Sequence, residues 1–65
     1  MASLSEHDIL RTANLWLLRH GEAAVTEARS VVSRFREAGD LDGSDTWLRV
    51  IVAIERLAAP VADAR

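Results

Sequence analysis

The sequence has no cysteine, no tyrosine and no lysine, one phenylalanine, one proline and three glycines. Without cysteine, no disulfide can staple the fold and no thiolate is available as a nucleophile or metal ligand. The same absence fits a reducing cytoplasm, which is the expected location. Few aromatic residues, abundant alanine and no lasting alternation at period two argue against strands. No apolar run approaches the length of a membrane span. Glu6 and Asp8 stand where a secretory leader would carry basic charge. Ten acidic residues face eight basic ones, for a net charge of -2. The basic surplus that a phosphate-backbone binder normally needs is therefore missing.

What remains is a 65-residue chain that is 49% hydrophobic, expected to form one domain over residues 1–65. A chain this short buries a modest core. Its stability must come from efficient helix packing, from association between chains, or from both.

The helical pattern is expected in three segments. The first, about 6–20, has Ser5 placed to cap its start, with Asp8 as a capping-box partner and Leu4 and Ile9 spaced as a hydrophobic staple. Ile9, Leu10, Ala13, Trp16 and Leu17 share one stripe, and Gly21 is the stop. The second, about 22–38, carries Ala24, Val25, Ala28, Val31, Val32, Phe35 and Ala38, with Gly39 as its stop. The third, about 43–59, follows the turn Gly39-Asp40-Leu41-Asp42-Gly43, with Asp42 as its expected cap and Ser44 as a competitor for that role. Its inner stripe is Trp47, Val50, Ile51, Ile54, Leu57 and Ala58, and Pro60 should finish it. Residues 60–65 are expected to fray. The fold class is thus all-α: three short helices joined by tight Gly/Asp-containing turns in a small bundle. Its expected core is Ile9, Trp16, Val31, Phe35, Trp47, Ile51 and Ile54.

One stripe per helix suffices to close such a core. Leu15, Leu18, Leu48 and Val52 project off those stripes. A broad core can absorb some of them. Alternatively they form a second surface for a partner chain, and a self-complementary twofold patch is the simplest arrangement. A homo-oligomer, with a dimer favoured, or a complex with another protein is the expected state.

Candidate chemistry is thin. Asp40, Asp42 and Ser44 have the one-three-five spacing of a calcium loop, but Asp45 replaces the turn glycine and Ile51 the bidentate glutamate. Turn formation and capping explain them better. His7 and His20 lie thirteen residues apart near opposite ends of the first helix, so one metal cannot readily reach both. No nucleophile, base and orienting group fall together. No enzyme activity, cofactor, metal site or catalytic set is expected. Asp45 and Arg49 are spaced for a weak surface pair. The runner-up functional reading is a weak nucleic-acid-binding or regulatory trihelical module using Arg29, Ser33 and Arg36 on the outer face of the second helix. Glu22 and Glu37 border that face and lower its potential. Trp16 and Trp47 read as core anchors whose indole N–H needs an acceptor, either a helix C-terminal carbonyl or Asp40 or Asp42.

The residues His20-Gly21, Ala24, Gly39-Asp40, Gly43, Trp47 and Ile51 resemble a family of short uncharacterised alphaproteobacterial helical proteins. In that pattern an HG pair precedes a helix, a GD pair closes it, and a glycine and a tryptophan follow at fixed offsets. The resemblance spans residues 15–57. It departs at Val31 and Val32, where the family carries charge near the middle of the helix, and at Thr46 before the tryptophan. It implies a cytoplasmic bacterial protein and supplies no activity, cofactor or catalytic set.

Overall fold

A computed structural model describes residues 5–58. Helix α1 covers Glu6–His20, a 3-10 turn Gly21–Ala23 follows, helix α2 covers Ala24–Glu37, and helix α3 covers Leu41–Ala58. The expectation of three discrete short helices is corrected by the first connection. Helical segments follow one another with no loop between them from Glu6 to Glu37, so the fold is an all-α bundle of two helices, the first of them bent. The bend sits at Gly21, whose φ of 55° and ψ of -126° no side-chain-bearing residue adopts comfortably. Gly21 does stop α1, its N–H bonding back to the Leu17 carbonyl, yet the chain re-enters helix in the next residue. Gly21 is thus both the expected stop of α1 and the bend between two helical arms.

The second connection is a real stop. At the end of α2 the Gly39 N–H bonds to the Arg36 carbonyl at 3.0 Å and the Asp40 N–H to the Phe35 carbonyl at 2.8 Å. Gly39 takes the positive φ of 78° that this paired closure requires. Asp40 then starts α3 directly. Its carboxylate accepts from the Gly43 N–H at 2.8 Å and its carbonyl from the Ser44 N–H at 3.1 Å. The expected cap, Asp42, lies one residue inside the helix instead, and α3 begins at Leu41 rather than at residue 43. Asp40 wins because only it has its backbone outside the helix while its side chain reaches the free N–H groups. At the start of α1 the Ser5 hydroxyl accepts from the Asp8 N–H at 3.2 Å, as the sequence suggests. The Leu4–Ile9 staple, the Pro60 stop and the frayed tail lie outside the described residues.

Helix α3 packs against both α1 and α2, which make few contacts with each other. The buried apolar residues are Ile9, Ala13, Ala24, Ala28, Val32, Val50, Ile51, Ala53 and Ile54. Four of these nine are alanine, so the helices meet on small side chains. Trp16, Leu17, Val25 and Trp47 are half-buried against that cluster. Of the expected core, Ile9, Ile51 and Ile54 are buried, whereas Trp16, Val31, Phe35 and Trp47 are half-buried. Val32, not Val31, takes the inner position of α2. Leu10 and Leu57, placed on inner stripes by their spacing, are exposed, as is Ala58. The contact face of α3 is set by Val50, Ile51 and Ile54 of the expected stripe, with Ala53 added beside them.

The bend is held from inside. The Trp16 indole N–H donates to the Ala24 carbonyl at 3.0 Å, joining one arm to the first residue of the other. Neither a helix C-terminal carbonyl nor a loop carboxylate serves as the acceptor. The Trp47 ring meets Trp16 edge-on with centroids 4.8 Å apart, the geometry that aromatic quadrupoles favour.

Candidate protein-interaction surface

All seven described leucines avoid the interior: Leu10, Leu15, Leu18, Leu41, Leu48 and Leu57 are exposed and Leu17 is half-buried. Leucine normally ranks with isoleucine and valine as a core residue. In this chain the described core goes to Ala, Val and Ile, and the surface takes the leucines, which are unbranched at Cβ. That sorting suits the close approach of the helices. Four buried alanines let the backbones approach, Ile and Val keep their bulk near the backbone by branching at Cβ, and the leucines, branched one carbon farther out, fall on the outer flanks.

The four residues singled out from the sequence are all on the surface, with exposures of 62% for Leu15, 80% for Leu18, 41% for Leu48 and 51% for Val52. They line two different grooves. Leu15 and Leu18 lie with Thr12, Trp16, Arg19 and Trp47 between α1 and α3. Leu48 and Val52 lie between α2 and α3, over Val32 and Ile51, with Arg29, Ser33 and Arg36 along the α2 rim and Glu55 on the α3 side. Val52 also borders a third groove, with Glu6, Ile9, Leu10, Arg49, Ala53 and Arg56. It therefore stands on a ridge of α3 with a depression on either side.

Leu41 belongs to this ridge, because α3 begins two residues before the start that the turn pattern predicts. With the helix beginning at Leu41, the positions 41, 45, 48, 52 and 55 fall on one stripe at alternating spacings of four and three: Leu, Asp, Leu, Val, Glu. This is the spacing of a helix-pairing seam, with carboxylates bracketing an apolar centre. Asp45 lies 3.9 Å from Arg49, with both side chains mostly exposed, which makes a weak pair. Among the described residues it is the one ion pair, so Arg29, Arg36 and Glu55 enter the α2–α3 groove without an ionic partner.

The chemistry-bearing residues do not converge. His7 is exposed at the start of α1, and His20 lies against the Trp16 indole with centroids 4.3 Å apart. The neighbour of the His20 ring is thus an apolar face. Asp40 and Asp42 occupy the cap and first turn of α3, and Ser44 is buried within it, so the expected loop is helix from Leu41 onward. Among the described residues no group of three or more His, Cys, Asp or Glu is placed to hold a metal ion. Nor is any described helix long and apolar enough to cross a membrane.

Comparison with family models, with curated proteins and with solved structures found no match to this chain.

Proposed function

We propose that this protein is a non-catalytic helical interaction module of the cytoplasm that associates with itself, a homodimer being the favoured state. The observation that carries this reading is the distribution of leucine: of the seven described, none is buried within one copy and six are exposed. Isolated exposed leucines are ordinary, but a chain that turns every described leucine away from its own interior has placed a set of large aliphatic groups where another chain can cover them. Burial of the exposed parts of Leu48 and Val52 from two copies contributes about 4 kcal/mol before the costs of association, so the neighbouring leucines must share in the contact. The Arg29–Ser33–Arg36 stripe suits a protein partner better than nucleic acid. It borders an apolar floor and a carboxylate, Glu55, rather than an open basic face.

Sedimentation velocity over a micromolar-to-millimolar concentration series tests the reading. The expected result is a shift from a 7.2 kDa species toward one of twice that mass. A single 7.2 kDa species across the whole series overturns it.

A further inference from the structure

The α2–α3 groove carries two complementary features side by side. One is a basic rim, Arg29 and Arg36 on α2. The other is the ridge of α3 beside it, where Asp45 and Glu55 bracket Leu48 and Val52. Resting on the self-association proposed above, we infer that the two copies join through this face, the α3 ridge of each lying in the α2–α3 groove of the other, with Arg29 and Arg36 of one copy meeting Asp45 and Glu55 of the second.

The inference stands on charge complementarity and on symmetry. In one copy the rim and ridge hold two guanidinium and two carboxylate groups, with Arg49 flanking Asp45, so the face carries both signs and can meet its own image with unlike charges opposed. Arg29, Arg36 and Glu55 have no ion-pair partner within the described residues, and Asp45 has only the long, exposed contact with Arg49. The arginines lie seven residues apart and the carboxylates ten, which along a helix is about 10 Å and about 15 Å. Each arginine side chain is long enough to make up the difference. The short closure after α2 sets α2 antiparallel to α3, with Phe35 lying over Gly43. Arg36 therefore sits toward the α3 start and Arg29 toward its end, beside Glu55. A twofold axis can turn the second ridge end for end. Because both ends of the rim carry an arginine and both ends of the ridge carry a carboxylate, the match survives that turn. Self-complementarity of this kind is the requirement for an isologous dimer. The apolar centre supplies adhesion and the charges set the partner and register.

Charge-swap complementation separates this inference from the reading on which it rests. Two variants are made in the full chain, Arg29→Glu with Arg36→Glu, and Asp45→Arg with Glu55→Arg, and their helicity is checked by circular dichroism. Each alone places like charges across the twofold and is expected to sediment as monomer, its dissociation constant raised at least 100-fold. Mixed in equal amounts they restore both sets of pairs, and a heterodimer of wild-type affinity is expected. If the unmodified protein is monomeric at every concentration, self-association itself is wrong and this face falls with it. If the unmodified protein dimerises and each charge variant dimerises as well as it does, the dimer uses another face and only this inference is overturned. A mixture that fails to form heterodimer, from variants that keep wild-type helicity, likewise overturns it.

Discussion

Gly43 looks like a turn residue in the sequence and is a packing residue in the structure. It lies in the first turn of α3 with ordinary helical geometry, and a Cβ built there would come within 2.5 Å of the Phe35 ring. Two effects then compete in Gly43→Ala. Alanine is favoured over glycine in a helix by about 1 kcal/mol, whereas forcing the aromatic ring aside costs about 1–3 kcal/mol. The contacts run along one edge of the ring, Cδ1, Cε1 and Cγ, and Cγ at 2.9 Å lies on the axis about which the ring turns, so a small rotation cannot clear all of them. Gly43→Ala is therefore expected to lower stability by about 1 kcal/mol in urea denaturation. In a Phe35→Ala background the same change should raise it. A stabilising Gly43→Ala in the unmodified chain would show that Phe35 gives way freely. Proximity to Asp40 and Asp42 suggested only turn chemistry for this glycine, because a packing demand on backbone bare of side chain leaves no trace in spacing.

At the level of the helix, most boundaries were legible and the continuity was not. Ser5 and Gly39 announce a start and a stop through side-chain and backbone chemistry that is local, within four residues of the group it satisfies. Gly21 carries the same local signal, yet whether a helix resumes after it depends on Trp16 and Ala24, eight residues apart, forming a hydrogen bond across the bend. That is a tertiary event, invisible to a helix-stop rule. The cap of α3 was misassigned for a related reason. Asp40, Asp42 and Ser44 are all capable caps, and the closure of α2 decides among them by fixing where the backbone leaves the first helix. A pair of substitutions reads this choice. Asp40→Ala removes the acceptor for the Gly43 N–H and is expected to cost about 1 kcal/mol. Asp42→Ala removes only a favourable charge in the first turn, for which about 0.3 kcal/mol is expected. Thermal melts of the two variants, compared at one concentration, should rank in that order. Equal losses would mean that Asp42 shares the cap.

Across the described residues the buried core holds only alanine, valine and isoleucine, and every leucine stays out of it. The inner half of this division was readable, since Ile9, Ile51 and Ile54 sit on the helical stripes that periodicity picks out. The outer half was readable only in part. Leu15, Leu18, Leu48 and Val52 stand off the stripes, but Leu10 and Leu57 lie on them by spacing and are still exposed. They are excluded because buried alanines bring the helix axes close and narrow each contact to a thin seam. If leucines are the adhesive between copies rather than within one, folding and association are linked, and stability must depend on protein concentration. The expected behaviour is a melting temperature that rises with concentration, by several degrees for each tenfold increase if about 1 kcal/mol is gained per step in a domain of this size. Replacing Leu48 and Val52 together by glutamine keeps good helix formers in exposed positions, so the dilute protein should melt within a few degrees of the unmodified one. The concentration dependence should vanish. Ile54→Ala provides the contrast: Ile54 is 1% exposed, and its truncation should cost about 2–5 kcal/mol at every concentration. A glutamine double variant that melts like Ile54→Ala would place Leu48 and Val52 in the fold itself. A melting temperature of the unmodified chain that ignores concentration would remove the link between its outward leucines and a second copy.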